Sequence, residues 1–574
     1  MSTGAQHARA GRRWWIGGLC CCGLYLALVG TIPFAVRPES LHDDDLFVRQ
    51  ASQLLQGHWL GIPFTPLTLA KGPLHALLMA LWMHTGGSVS LALRAFYALA
   101  AFLFCTLALP PQRAAWRWVA LVVLLCDPWM VTLPASRFAR EASFIPLSLL
   151  ALGLAVAALD SLPQAISPQP WHTQSRQIRS SWLLIASSAA LGLLLISREA
   201  RLVILLVEAA LLLLWVLGQW PLRDRQRWLQ VALSLAAALL LFLLPLTTLR
   251  LWNARAYNAP ISNDFEEGQF KRFYEKLVSI NLTGLASKPF VPVRHEVLEA
   301  IRLAAPSSQL NRLLGALNPN WQVFGCRQNN LMCGEYGGGW LVWALRDAMQ
   351  LVHPSHDARV FQDFSFQLQQ EIDALCHNHP KTFDCRRRAM GYLPLPWARG
   401  EHLPPQLWIT TGIQKIHGLL DPRAVGIGPW AVEPIDVGSL PHHWQRLAIQ
   451  PTTKEQAVES RRITQLTFLL GVLARNSMAL LLLTRLVWGI VARLSRYRLH
   501  QAGHRVKTGL RTWCHTYGGN LLLAGYLGIQ LLLFTAVEIT SFRADRYLVL
   551  LSPITTALLA RLLISVHLPR GVRS

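Results

Sequence analysis

Long apolar segments recur along this chain and exclude an ordinary soluble fold. Hydrophobic residues make up 52% of the 574 positions, charged residues only 15%, and tryptophan occurs 22 times. A membrane-spanning helix needs about 17–25 mainly apolar residues in succession. The sequence therefore predicts a polytopic α-helical membrane protein. The ten predicted spans lie near residues 14–36, 89–109, 115–134, 142–160, 181–197, 202–219, 227–247, 475–494, 518–538 and 547–566.

Positive charge is concentrated in alternate loops between these segments. The formal net charge of +23 would also fit a nucleic-acid-binding protein. Lys and Arg in alternate short loops are instead typical of the cytoplasmic side of membrane proteins. We therefore expect both termini in the cytoplasm and no nucleic-acid partner. The basic groups are Arg9, Arg12 and Arg13; Arg113 and Arg117; Arg176 and Arg179; Arg223, Arg225 and Arg227; Arg496, Arg498, Arg505, Lys507 and Arg511; Arg570 and Arg573.

Two apolar segments need separate interpretation. The segment at 14–36 lacks the short apolar core and small-residue cleavage site of a signal peptide, so it is predicted to be a retained first span. The segment at 72–85 is too short for a perpendicular crossing, and we expect an interfacial helix on the outer side. Counting it as a span would place the basic loops outside.

The predicted spans divide the chain into three parts. Residues 1–249 form a membrane module of seven spans with a first outer loop at 37–88. Residues 250–462 form an outer, mainly helical domain between spans seven and eight, and residues 463–574 carry the last three spans. In the outer domain, periodicity predicts helices around 264–280, 293–316 and 358–376, and Pro and Gly clusters predict loops at 317–340 and 391–440.

Four of the ten cysteines fall in the predicted outer domain. An even number in an oxidising compartment indicates two disulfides. Sequence allows three connectivities, of which pairing neighbours is the simplest, and the spacing is looser than that of a zinc knuckle. The four are Cys326, Cys333, Cys376 and Cys385.

Three adjacent aspartates, Asp43, Asp44 and Asp45, follow the first span. Carboxylates near hydrocarbon are costly unless they are hydrated, paired or functional, so this run is a candidate site. Apolar residues at 47, 51, 54, 55 and 59 predict an amphipathic helix on the membrane surface after it. The alternative is that the aspartates cap this helix and interact with its dipole.

Cations also lie in the short loops on the predicted outer side, where Lys and Arg are normally scarce. An anionic partner such as a lipid phosphate would account for them, because arginine offers a bidentate fork and lysine a compact charge. A neighbouring carboxylate could act as general base on an acceptor hydroxyl. The ionisable residues are Lys71; Arg137, Arg140 and Glu141; Arg198, Glu199 and Arg201; and Arg543, Asp545 and Arg546.

The order of first span, acidic pair, amphipathic helix and Lys-x-Pro before an apolar helix resembles the type C (GT-C) membrane glycosyltransferases. The protein O-mannosyltransferases and the aminoarabinose transferases of lipid A belong to this class. The acidic pair matches Asp43 and Asp44, and Lys71-Gly72-Pro73-Leu74 matches a Lys-Pro-Pro-Leu-like motif. The stretch 337–347 is also similar to uncharacterised bacterial membrane proteins of this layout.

The resemblance implies an inverting glycosyltransferase on the periplasmic face of a bacterial inner membrane, using a polyprenyl-phosphate sugar and a lipid, glycan or protein acceptor. Asp43 or Asp44 would be the base, and Asp45 a cap or a supporting residue. The second outer loop, between predicted spans three and four, lacks an Asp-x-Asp or Asp-x-Glu pattern, so neither a metal nor another cofactor is expected. The donor would contact Asp45, Lys71, Arg137, Arg140, Glu141, Arg198 and Arg201, and Arg543 or Arg546 would close the site.

Two other functions fit the same residues. In a transporter or flippase of a lipid-linked anion, the cations would line a path, charge would continue through the spans, and the two halves would look alike. In a non-catalytic envelope assembly protein, the outer domain would bind a partner and the acidic run would be dispensable. Asp127 and Glu208, inside predicted spans, are either relay carboxylates or hydrogen-bonding partners between helices.

Overall fold

The computed structural model describes most of the chain. The described residues are 2–61, 63–111, 114–162, 170–220, 225–286, 288, 290–328, 330–385, 405–449, 451–497, 518–532 and 545–566. Among these, side chains are described except at 2–10, 170–174, 328, 485–497, 545–546 and 564–566.

The described chain is mostly helical. The helices before the outer domain are α1 (Ser2–Val29), α2 (Asp44–Leu55), α3 (Leu74–His84), α4 (Val89–Ala108), α5 (Ala114–Leu125), α6 (Glu141–Asp160), α7 (Pro170–Leu195), α8 (Arg201–Gln219) and α9 (Arg225–Tyr257). The outer domain contains α10 (Gln269–Ser279), α11 (His295–Ala304), α12 (Gln309–Gly315), α13 (Asn320–Gln328), α14 (Trp340–Val352), α15 (Ala358–Asn378), α16 (Pro405–Leu420) and α17 (His442–Gln445). The last helices are α18 (Lys454–Tyr497), α19 (Gly518–Leu532) and α20 (Ser552–Val566).

Within the described residues, seven helices are long and apolar enough to cross a membrane. They are α4, α5 with the 3₁₀ turn that follows it, α6, α7, α8, α9 and α18. The predicted spans at 14–36, 518–538 and 547–566 correspond to α1, α19 and α20, which are shorter or less apolar. A multi-pass architecture is thus supported, while ten crossings and cytoplasmic termini remain predictions.

The membrane helices pack around α6. Nearly all of its side chains are buried between α4 and α7, and α7 packs in turn on α9. A helix that is apolar all round is expected at the centre of a bundle. A buried ion pair between Asp127 and Arg475 joins α18 to the end of α5, and Ser552 Oγ donates to Asp127 Oδ1 at 2.7 Å. These contacts favour the packing role for Asp127.

The outer domain is built mainly on α10, α14 and α15. Its core includes Phe270, Leu345 and Phe361. The domain also contains a short antiparallel strand pair, β1 (Asn281–Leu282) with β2 (Phe383–Asp384). Helices α9 and α18 run across the predicted domain limits at 250 and 462, so the membrane and outer parts share continuous helices.

Two helices of this domain lie where loops were predicted. Helix α13 follows Pro319, and α16 begins at Pro405. Proline has the right φ angle for the first helical turn and lacks an N–H that would be unpaired there. The prolines therefore mark helix starts here, and the loop prediction is wrong at these two places.

The four outer cysteines form neighbouring pairs. Cys326, near the end of α13, bonds to Cys333. Cys376, in α15, bonds to Cys385, the residue after β2. This is the simplest of the connectivities that the sequence allows.

The first outer loop packs its apolar residues against other parts of the protein. Phe47 and Ala51 on α2 have no exposed surface and pack with Met79 of α3 and Trp444 of α17. The predicted amphipathic helix is present but ends at Leu55, and its apolar face contacts other parts of the chain. The apolar face is therefore buried within the protein, and the position of this helix at the membrane surface stays a prediction.

Candidate functional site

The start of α2 meets the loop before α6 through a short parallel contact. Ala35 and Arg137 form a β-bridge in which the Ala35 N–H donates to the Ser136 carbonyl at 2.7 Å. A turn follows, in which the Ser40 carbonyl accepts from the Asp43 N–H at 3.1 Å. The acidic run and Arg137 are therefore brought face to face, although more than ninety residues separate them.

Asp44 is fully buried and held by Arg137. Arg137 Nε lies 3.2 and 3.1 Å from its two carboxylate oxygens, and Arg137 Nη2 also donates to Asp44. Burial raises the pKa of Asp44 above its ordinary value, and Arg137 opposes this rise. A carboxylate held in this bidentate way is a fixed counter-ion for the guanidinium.

Asp43 differs from its neighbours because 33% of its side chain is exposed, against 0% for Asp44 and 3% for Asp45. It accepts a hydrogen bond from Lys71 Nζ and lies 3.6 Å from Arg137 Nη2. Asp43 occupies the N-cap position of α2, but its side chain makes no capping bond. Of the three aspartates, Asp43 has the surface that an acceptor could approach.

Lys71 is the buried cation opposite Asp43. Only 4% of its side chain is exposed, and its Nζ lies 5.3 Å from the ring centre of Trp343 and 5.7 Å from that of Phe47. Burial lowers the pKa of Lys71, Asp43 opposes this effect, and Arg140 adds to it. The lysine charge is thus poorly solvated and depends on a nearby anion.

Gly72 lets the lysine motif pack against the turn after α7. A Cβ atom at this position would lie 2.4 Å from the Ile196 carbonyl oxygen, and the Leu74 N–H donates to the same oxygen at 3.3 Å. Because the contact is with main chain, a side chain here would force the two segments apart. Gly72 thus brings Lys71 close to the turn that carries Arg198 and Glu199.

Two crossed ion pairs lie beside this cluster. Arg140 Nη1 is 2.5 Å from Glu199 Oε1, and Arg198 Nη1 is 2.7 Å from Glu141 Oε1. Burial would raise the pKa of Glu199, but Arg140, with Lys71 and Arg198, opposes it and the net pKa is lowered. The Arg198 guanidinium also lies 4.7 Å from the ring centre of Tyr547. The start of α6 and the turn before α8 are thereby joined by charged residues from both.

Asp45 is bound by the protein on both oxygens. His443 Nε2 and Trp444 Nε1 lie 2.7 and 2.8 Å from Oδ1, and Arg49 Nε lies 2.9 Å from Oδ2. Burial opposes charge at Asp45, but the hydrogen bonds from these three residues lower its pKa. Helix α2 begins at Asp44, so the expected capping role of Asp45 is wrong. Its contacts instead tie α2 to α17.

The remaining predicted residues lie apart from the cluster or are not described. Arg201 binds Glu266 at 2.9 Å and Ser262 at 2.7 Å, at the junction of α8 with the outer domain. Arg543 lies outside the described residues, and the side chain of Arg546 is likewise not among those described.

Sequence reasoning missed the aromatic side of the site. Trp343 faces Lys71 and stacks on His42 with ring centres 4.7 Å apart, and Trp321 lies 4.7 Å from the same imidazole. Burial lowers the pKa of His42 to about 4, so its ring is neutral at pH 7. The Gly-Gly-Gly-Trp segment at 337–340 was the sequence signal that could have pointed to Trp343. For His443 and Trp444, nothing local indicates a contact with Asp45.

Comparison with known proteins returns structural neighbours only. No family model matches the sequence, and no curated protein does. The fold is similar to ArnT from Cupriavidus metallidurans bound to undecaprenyl phosphate, with TM-score 0.31 and 14% identity over 96% of this chain and 78% of that one. The apo form of the same protein gives TM-score 0.28 and 12% identity over 97% and 78%. ArnT is an aminoarabinose transferase of the type C class, but at these TM-scores the likeness assigns no residue a role.

Proposed function

We propose that this protein is an inverting membrane glycosyltransferase that moves a sugar from a polyprenyl-phosphate donor to an acceptor on the periplasmic face of a bacterial inner membrane. The main support is the pairing of partly exposed Asp43 with buried Lys71, beside the pair of Arg137 and Asp44. In this proposal, the candidate base Asp43 lies next to cations suited to a phosphate. Both termini are cytoplasmic in this proposal, and residues 250–462 form the periplasmic domain.

Lys71, Arg137 and Arg140 are the proposed donor-phosphate ligands. Lys71 supplies a compact charge in an aromatic, poorly hydrated setting, where electrostatic interactions are stronger than in water. Arg137 and Arg140 add planar guanidinium groups already oriented by carboxylates. Arg198, Arg543 and Arg546 are proposed to complete the site as the donor binds, whereas the contacts of Arg201 suit an anchor of the outer domain.

Asp43 neutralises Lys71 in the structure. A donor phosphate would compete with Asp43 for the lysine, because both are anions that need the same buried cation. Binding of the donor would then release the Asp43 carboxylate toward the acceptor. The same event thus assembles the phosphate site and frees the base.

The proposed reaction is a single displacement. Asp43 takes the proton of an acceptor hydroxyl as that oxygen forms a bond to the anomeric carbon of the sugar. The bond from that carbon to the phosphate oxygen breaks, and its electron pair stays on the phosphate held by Lys71 and Arg137. Attack opposite the leaving group inverts the anomeric configuration. Asp44 keeps Arg137 in place throughout.

The proposed mechanism needs no divalent cation. Each aspartate of the run already has a protein partner, namely Lys71, Arg137 or Arg49. In the proposal, these cations supply the positive charge that neutralises the phosphate and the carboxylates. Addition of a chelator is therefore expected to leave the transfer rate unchanged.

The test substitutes asparagine separately for Asp43, Asp44 and Asp45 and measures release of polyprenyl phosphate from a panel of undecaprenyl-phosphate sugars by the purified protein in detergent. General-base catalysis predicts a loss of about 10²- to 10⁴-fold for Asp43→Asn. Asp45→Asn should retain turnover because Asp45 contacts only the protein. Full activity in all three variants, with normal expression, would contradict the proposal.

A further inference from the structure

A second buried ion pair lies in the outer domain, next to the segment that carries Lys71. Arg346 of α14 and Asp264, before α10, are both fully buried, with Arg346 Nη1 3.3 Å from Asp264 Oδ2. Removing two charges from water costs about as much as their attraction returns, so such a pair is weak evidence for stability alone. Its contacts indicate a more specific purpose.

The lysine segment is held through its main chain, by the side chain of Arg346 and by the main chain of Asp264. Arg346 Nη1 donates to the Pro66 carbonyl, and the Asp264 N–H donates to the Leu69 carbonyl at 2.8 Å. Leu69 is 1% exposed and lies two residues before Lys71. The outer domain therefore holds the main chain directly before the proposed phosphate ligand, Lys71.

Aromatic rings provide a second connection from the same pair. The Arg346 guanidinium lies 4.1 Å from the ring centre of Phe270 and 5.0 Å from that of Phe265. Phe265 packs edge-on against Trp343 at 5.1 Å, and Trp343 faces Lys71 Nζ. Main-chain and side-chain contacts thus lead from Arg346 to the same lysine.

We infer that Asp264 and Arg346 are positioning residues that hold Lys71 in its buried place opposite Asp43. The outer domain then builds part of the catalytic site, in addition to any role in covering it or selecting an acceptor. The effect on catalysis rests on the proposed glycosyltransferase function. The effect on the environment of Lys71 does not.

A double-mutant cycle tests the catalytic part. If Asp264→Asn displaces Lys71, the rate of sugar transfer should fall by about 10- to 100-fold. If the pair acts through Lys71, the double variant with Lys71→Ala should be no slower than Lys71→Ala alone. Losses that multiply would overturn the inference, since they would mean that the pair and the lysine act separately.

Glu335→Gln is the matched control for this cycle. Glu335 is a buried carboxylate of the same domain, which accepts from the His295 N–H at 2.6 Å and from Lys288 Nζ at 3.1 Å, away from the lysine segment. Any loss that it causes should multiply with that of Lys71→Ala. The control therefore separates general damage to the domain from displacement of Lys71.

Amine-selective labelling read by mass spectrometry tests the structural part without any turnover. Lys71 should be protected from labelling in the wild type and in Glu335→Gln. It should be labelled several-fold faster in Asp264→Asn. If that variant does not fold, the charge-conserving Arg346→Lys takes its place, with the same result expected. Lys276, with 37% of its side chain exposed, is the internal reference. Unchanged protection of Lys71 in the folded variant would overturn the inference even if the protein transfers no sugar.

Discussion

Replacing Asp43 with asparagine should separate donor binding from turnover. Lys71 is 4% exposed and Asp43 33% exposed, so the carboxylate satisfies a buried cation that the proposed donor phosphate would also need. An asparagine side chain would keep the shape of the aspartate without its charge. We therefore expect the variant to lose transfer while it binds a polyprenyl phosphate more tightly than the wild type does.

The magnitude follows from the partial exposure of the pair. An exposed ion pair contributes up to about 1 kcal/mol and the loss of one partner of a buried pair costs about 3–5 kcal/mol. Because solvent screens the partly exposed Asp43, we place the contribution of this pair between these two values and nearer the first, at about 1–2 kcal/mol. Since about 1.4 kcal/mol is tenfold in affinity, the dissociation constant should fall by about tenfold, while kcat falls by about 10²- to 10⁴-fold.

The assay is a titration of the purified protein with undecaprenyl phosphate in detergent, next to the transfer assay. Asp421→Asn is the matched control, because Asp421 is 25% exposed and paired with Arg423 away from the site. Weaker binding by Asp43→Asn would refute the competition between Asp43 and the phosphate. Undiminished turnover would refute its role as base.

Three further substitutions probe the same cluster. Asp44→Asn should lower the free energy of unfolding by about 3 kcal/mol, the lower end for breaking a buried pair because asparagine keeps an acceptor for Arg137; an unchanged thermal unfolding temperature in detergent would contradict this. Burial lowers the pKa of Lys71, so kcat/KM should fall as the pH rises through that lowered pKa and the lysine loses its charge. In Lys71→Arg the fall should be absent over the same pH range, and an identical alkaline limb would count against Lys71 as the phosphate ligand. Gly72→Ala should cost about 1–3 kcal/mol because the new Cβ meets the Ile196 carbonyl, and wild-type thermal stability would show that the turn can yield.

Features encoded locally in the sequence were predicted well. The apolar stretches at 89–109, 142–160 and 202–219 match α4, α6 and α8 within a residue or two. Their length and composition determine helical spans without help from distant parts of the chain. The cysteine pairs were also accessible, because each joins residues close together in the sequence.

The partners of the site residues were not accessible from the sequence. Asp45 resembles a helix cap in the sequence, yet His443, which binds it, lies 398 positions away. Lys71 was singled out as an outer cation, but its burial depends on Trp343 and on the close packing at Gly72. The contacts of His443 and Trp343 arise from packing of the outer domain on the first loop, and that of Gly72 arises from packing on the turn after α7. No local pattern encodes them.

The central proposal is tested most directly by following both halves of the donor in proteoliposomes that contain the purified protein and a polyprenyl-phosphate sugar. A glycosyltransferase should release polyprenyl phosphate and form glycosylated acceptor in equal amounts, with an inverted anomeric configuration, and Asp43→Asn should abolish both. Movement of the intact lipid-linked sugar between leaflets, with no cleavage of its sugar–phosphate bond, would contradict the proposal and identify a transporter.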